Sequence, residues 1–314
     1  MCTACKLYTC YLFLSNINLM RISQIVLGCI IPLFSSCVQP VQFDLPQIPS
    51  QIVVNSLMIP DQSIRVSVSQ TVRSGDTMVS IPHANVSLWQ GNNMLEKLVY
   101  DKDSWYHSTM LAVEGNIYRL EVELDGYSIV YAIDSMPTKT YIHKATSELL
   151  SYDANNEPIF ISKITFKDNA EIDNYYELLF YRLEQNGGKK YVNIGGNIEN
   201  PLSDLDPIIL AEEDWPYNPS SLLFSDKLIN GQTYSLRIGM GARYVELRSV
   251  SRAYYLFRKS WIRHAFNRGP SFTRFEIDYI YDTRLIGDPV EMYSNIEGGL
   301  GIFASYVVDE KETE

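Results

Sequence analysis

The sequence predicts a mainly β protein: an N-terminal immunoglobulin-like β-sandwich over residues 51–137, then a second β-rich domain over 138–314 with one amphipathic helix near 250–267. Three observations predict it. From residue 51 apolar and polar residues alternate with period two, the rhythm of strands with one buried face. Turn-forming Gly, Asn and Asp recur at short intervals between these runs. One stretch, "SRAYYLFRKSWIRHAF", switches to the three-and-four spacing of a helix.

Ahead of the first strand lies a leader. Met20-Arg21 supplies a positive start, Ile22 to Phe34 an apolar run, and Ser35-Ser36 the small residues that cleavage needs. This is the layout of an export signal over residues 1–36, with the true start placed at Met20. The run is too short for a membrane span, which takes about 20 apolar residues. All five cysteines, Cys2, Cys5, Cys10, Cys29 and Cys37, fall in the leader or directly after it. "MCTAC" lacks the second pair of ligands that zinc demands, so no metal is assigned.

"LFSSC", Leu33 to Cys37, resembles the lipobox of bacterial lipoproteins, with Phe34 at the usual leucine. The resemblance implies lipidation: Cys37 becomes the mature N-terminus, with a thioether-linked diacylglycerol and an amide-linked acyl chain. One acyl chain holds a protein on a bilayer only reversibly, and each buried methylene adds about 0.8 kcal/mol, so several chains keep it there. The alternative for Cys37 is a buried structural cysteine. Residues 37–50 then form a lipidated tether, since "VQPVQFDLPQIPS" carries three prolines and no periodic apolar face.

Within 51–137, "SIRVSVSQ" turns Ile64, Val66 and Val68 one way and Arg65, Ser67 and Ser69 the other. "ANVSLWQGNNMLEKLVY" predicts a hairpin around Gly91-Asn92-Asn93, and "DKDS" a turn before Trp105. "NIYRLEVELDGYSIVYAI" predicts a second hairpin on a type I′ turn at Asp125-Gly126. About seven short strands with such turns suit a sandwich. Pro137 closes this unit.

Beyond it, strands are expected over Ile159 to Phe166, Tyr175 to Leu183 and Thr233 to Met240, with a turn in "NGGKK" at Asn186 to Lys190. In the helix, Tyr254, Phe257, Trp261 and Ala265 share the face expected to cover the core. Arg252, Lys259, Arg263 and Arg268 lie on other faces, suited to solvent and nearby carboxylates or to an anionic surface. "NIEGGLGIF", Asn295 to Phe303, runs into an apolar strand rather than a helix, so it reads as a turn or bulge and not a phosphate cradle.

Without residues 1–36 the chain holds 24 basic against 37 acidic residues, a net charge of −13, which repels nucleic acid. The remaining length suits two domains, each with its own core. The G-x-S-x-G elbow, the H-E-x-x-H helix and the P-loop are missing, and His83, His107, His143 and His264 are scattered, so neither an enzyme nor a cofactor is expected. The binding candidate is "LSDLDPIILAEEDWPYNPSS", Leu202 to Ser221. Trp215 and Tyr217 offer flat amphipathic faces, with Glu213 and Asp214 as adjacent acceptors. The acids of this stretch also suit calcium by chemistry, but their spacing matches no EF-hand loop. The bland alternative packs the aromatics under their own loop and solvates the acids.

"FDLPQIPSQIVVNSLMIPDQSIRVSVSQT", "LLFSDKLINGQTYSLRI", "YVELRSVSRAYYLFRK" and "DPVEMYSNIEGGLGIFASY" resemble the domain-of-unknown-function 4249 family, over nearly the whole mature chain. Members are predicted lipoproteins of Bacteroidota, often encoded beside TonB-dependent outer-membrane receptors. The resemblance implies an outer-membrane lipoprotein acting as an accessory binding module for nutrient uptake, with the receptor as partner. It carries no catalytic residue. The alternative is a structural, adhesion or surface-assembly lipoprotein without a small-molecule ligand. Val38-Gln39-Pro40-Val41-Gln42 is uncharged where surface-displayed members of the phylum commonly carry acids, which leaves the periplasmic and surface faces both open.

Overall fold

In "IVVNSLM" the alternation buries Ile52, Val54, Ser56 and Met58 and leaves Asn55 and Leu57 exposed, as a strand with one wet face requires. A computed structural model describes residues 49–72, 77, 80–152, 154–156, 158–192, 221–238, 243–267 and 291–314. The body, Ser50–Glu314, is mainly β.

Its first half holds β1 (Ile52–Met58), β2 (Ser63–Gln70), β3 (Asn85–Gln90), β4 (Asn93–Lys97), β5 (Val99–Tyr100), β6 (Trp105–Leu111), β7 (Ile117–Glu123) and β8 (Val130–Ser135). β1-β2-β6-β5 make one end of a nine-stranded sheet whose other strands belong to the second half, and β4-β3-β7-β8 make a separate four-stranded sheet. Val54, Val66, Leu88, Tyr106, Leu120 and Val130 fill one core between them. Burying each such side chain stabilises the fold by about 1.5–3 kcal/mol.

The β7–β8 hairpin forms, but its turn is not type I′. Tyr127 N–H donates to the Leu124 carbonyl at 3.0 Å, Gly126 alone of the central pair has positive φ (+85°), and β8 begins only at Val130. One positive φ at the third position is the signature of a type II turn, and the longer loop releases the chain from the two-residue constraint.

The second half holds β9 (Ile142–Tyr152), β10 (Pro158–Lys167), β11 (Tyr175–Leu183), β12 (Lys189–Tyr191), β13 (Ser221–Ser225), a 3-10 turn, β14 (Thr233–Ile238), β15 (Tyr244–Val250), helix α1 (Arg252–Asn267) and β16 (Leu300–Glu312). β14-β10-β9 make a three-stranded sheet against the sheet of β11, β13 and β15. Phe166, Tyr176, Leu178, Phe180, Phe224 and Leu247 form the core between the two. The "NGGKK" turn closes the β11–β12 hairpin, with Gly187 at φ +81°.

β16 ties the halves together. Its residues 300–305 pair in parallel with β1, and residues 306–312 pair antiparallel with β15. Phe303 and Val307 of this closing strand sit in the first core with Ile296, so residues from beyond 137 complete it. The glycines of "NIEGGLGIF" serve this approach. Gly298 turns the chain at φ +79°, and at Gly301 a Cβ would run into the Val54 carbonyl of β1.

Helix α1 starts where Ser251 Oγ accepts the Tyr254 N–H at 3.2 Å, an N-cap bond. Its packed face is Ala253, Tyr254 and Tyr255, set against Leu223, Val250 and Ala304. This departs from the expected stripe: Tyr254 is buried, but Phe257 is half-buried and Trp261 exposed, and the side chain of Ala265 lies outside the described residues. Among the described residues the buried face of α1 lies in its first turn, so the expected stripe is not followed at Phe257 and Trp261. Among the described residues no helix is long and apolar enough to cross a membrane.

Candidate functional site

β11 reads "YYELLFYRL" and β15 reads "YVELRSV", each with charge set inside an apolar run. Strand alternation sends Tyr176, Leu178 and Phe180 into the second core, which puts Glu177 on the opposite face, under α1. The register places Arg248 directly across from Glu177. Arg248 Nη1 donates to Glu177 Oε2 at 3.1 Å, and its Nε donates to Glu246 Oε1 at 2.6 Å.

Three further donors converge on Glu177. Arg258 Nη2 of α1 reaches Oε1 at 3.0 Å, the Tyr254 hydroxyl reaches Oε2 at 2.5 Å, and Ser221 Oγ of β13 reaches Oε1 at 2.8 Å. The Glu177 side chain is only 1% exposed. Burial pushes its carboxyl up, but Arg258, Arg248, Tyr254 and Ser221 together outweigh burial and hold it below the ordinary glutamate range.

Toward the sheet edge the cluster continues into a partly exposed rim. Lys189 Nζ donates to Glu246 Oε2 at 2.8 Å and also to Glu310, and the Tyr191 hydroxyl reaches Glu246 Oε2 at 3.2 Å. Burial opposes the Lys189 charge, but Glu246 and Glu310 prevail and hold its ammonium above the usual lysine value. Burial and Glu310 push the Tyr181 hydroxyl up to about 12. The Arg248 guanidinium also lies 4.8 Å from the centre of the Tyr306 ring, a cation–π distance.

Three carboxylates, Glu177, Glu246 and Glu310, thus face three cations, Arg248, Arg258 and Lys189. Such an arrangement holds and orients. Glu177 accepts four hydrogen bonds and stays ionised, which suits a fixed charge better than a proton carrier. The rim of Lys189, Tyr191 and Glu310 offers donors, an acceptor and aromatic surface to a polar ligand. Among the described residues no group of three or more His, Cys, Asp or Glu is placed to hold a metal ion.

The residues singled out from sequence, Cys37, Glu213, Asp214, Trp215 and Tyr217, all lie outside the described residues. What is described is where the connection bearing the last four departs and returns. It leaves after β12 and re-enters at β13, and both strands pair with β11, through Tyr181–Tyr191 and Leu179–Ser221. Tyr191 and Ser221, one at each end, are members of the charge cluster. Sequence reasoning passed over Glu177, Glu246, Arg248 and Arg258. Glu177, Glu246 and Arg248 alternate with the core residues of their strands, so period two alone assigns them to a wet face and gives no local signal that this face is covered.

These features define a β-rich body carrying a charge-balanced, tyrosine-lined cluster at one sheet edge. The family model of a domain of unknown function (DUF4249) matches residues 38–312, and the chain belongs to that family. No curated protein matches the chain.

Proposed function

We propose that this protein is an outer-membrane lipoprotein, held by lipid on Cys37, that acts as an accessory binding module for nutrient uptake with a TonB-dependent receptor. The observation that carries the reading is the junction at Cys37. The leader ends on small residues directly before a cysteine, and the family match begins at the next residue, 38. The ligand contacts are Trp215 and Tyr217 with Glu213 and Asp214, on the connection whose two ends meet the Glu177 cluster.

The first half belongs to the immunoglobulin-like sandwiches in this reading. Two features support that assignment: strand order 1-2-6-5 facing 4-3-7-8, and Tyr118 at the start of β7, whose hydroxyl accepts the Val113 N–H at 3.0 Å in the manner of a tyrosine corner.

The test is purification from detergent-solubilised outer membrane, with intact mass measured on the product. A mass carrying acyl chains on Cys37 and a co-purifying β-barrel receptor are expected. An unmodified thiol at Cys37, or recovery of the protein alone under mild conditions, overturns the reading. Replacing Trp215 and Tyr217 together with alanine is expected to leave folding intact and reduce uptake; unchanged uptake removes that connection from the function.

One observation favours a second reading, a structural or surface-assembly lipoprotein. Every carboxylate of the cluster is already paired, as in a joint that serves only to fix geometry. A lipidated protein that recovers with surface-assembly components and no receptor supports this alternative.

A further inference from the structure

Asp134 occupies an inward position of β8, where alternation calls for an apolar residue, and it is 6% exposed. Its carboxyl reaches the midpoint of β16, where Ser305 Oγ donates to Oδ2 at 2.5 Å. Ser305 marks the changeover in that strand: it is the last partner of β1, and Tyr306 is the first partner of β15. Ser251 bonds the same carboxyl, caps α1 and accepts the Ser305 N–H at 3.2 Å. The backbone at Ser251 also donates to the Ser305 carbonyl at 2.9 Å. One carboxyl therefore gathers β8 of the first half, the shared strand and the head of α1.

The groups facing it are neutral hydrogen-bonding ones: Tyr118 across β7, Ser135 on β8, Ser305 on β16 and Ser251 at the helix cap. Arg248 and Arg258 are engaged with Glu177 and Glu246, and Arg252, next to the cap, is exposed. A carboxyl buried without a cation favours its protonated form. Burial accordingly pushes Asp134 up to about 7, against the pull of Ser305, Ser251 and the Ser135 backbone. When protonated, Asp134 donates to Ser305 Oγ, and the Ser305 hydroxyl turns to the Ser135 carbonyl, 3.3 Å away. Ionisation releases that proton to solvent and leaves an uncompensated charge in the joint.

We propose that Asp134 is a proton-operated clasp between the two halves of the body: protonated it locks the middle of β16 to the cap of α1, and ionised it lets both open locally. The sign follows from linkage. The unfolded chain loses this proton near 3.8 and the folded chain near 7, so the clasp is strongest at low pH and weakens as pH rises through neutrality.

The test uses the full mature chain with carboxyl-labelled aspartate. NMR is expected to show one aspartate resonance titrating near pH 7, assigned by its loss in Asp134→Asn. Amide protection at Ser305, Tyr306, Tyr254 and Tyr255, corrected for intrinsic exchange, is expected to fall about tenfold from pH 6 to pH 8, and to stay flat in Asp134→Asn. Only ordinary aspartate titrations in the wild type, or an equal fall in the variant, overturns the proposal. Should Asp134→Asn fail to fold, Ser305→Ala keeps the carboxyl and removes a donor to its ionised form. That variant is expected to move the high titration further up, and an unmoved titration overturns the clasp.

Discussion

At Glu177 two guanidinium groups and two hydroxyls meet one carboxylate in a site closed to water. Glu177→Gln keeps the shape and removes the charge, leaving Arg248 and Arg258 short of a partner. We expect a loss of about 3–5 kcal/mol, read as a lower urea midpoint at unchanged slope. A loss below about 1 kcal/mol would show that water already reaches the site. Glu177 and Asp134 titrate in opposite senses. The depressed Glu177 stabilises the fold above pH 4.5 and loses that contribution as pH falls below it, whereas Asp134 loses its contribution as pH rises through 7. Thermal unfolding followed against pH is therefore expected to peak at about pH 4, where the gain from Glu177 levels off and the loss from Asp134 sets in, and to decline from there to about pH 7. In Asp134→Asn the decline on the alkaline side should vanish while the acid limb remains. A third residue-scale expectation concerns Gly301, at φ +114° against Val54. Gly301→Ala adds backbone strain to a steric clash and should cost on the order of 3 kcal/mol or more by denaturant titration, far above an alanine placed at the open turn Gly91.

Among the elements, those whose information is local were legible in the sequence. β11 spans Tyr175–Leu183 as the apolar run indicated, and α1 falls within the expected 250–267, because alternation and helical spacing are written in neighbouring residues. The helix face was less legible. Trp261 lies exposed while Ala253, Tyr254 and Tyr255 pack on β16, β13 and β11, an arrangement set by strands distant in the chain. Ser251 serves that first turn and β16 together, so Ser251→Ala should cost more than the roughly 1 kcal/mol of an ordinary N-cap, with the largest loss of amide protection at Tyr254 and Ser305. Equal loss along the whole helix would mean the cap acts on α1 alone. The parallel β1–β16 pairing had no local trace; the glycines of "NIEGGLGIF" read as a turn or bulge, and the strand they approach is shown only by the pairing.

For the whole molecule, the acidic balance and β-rich composition were readable from residue counts and periodicity. The charge cluster was half readable. "YYELLFYRL" and "YVELRSV" display ions within apolar runs, but only the register shows Glu177 opposite Arg248. Two cores share one strand, since Phe303 enters the first core while residues 306–312 extend the sheet of the second half. Calorimetry of Ser50–Glu314 is expected to show a single transition whose calorimetric and van't Hoff enthalpies agree. Two resolved transitions would mean that the halves melt separately and that β16 couples them weakly.

The parallel neighbour of β1 is synthesised long after β1 itself, Val53 lying beside Leu300. The first core therefore cannot close until the chain has been made as far as β16. High contact order of this kind slows folding and leaves the apolar flank of β1 bare in the meantime.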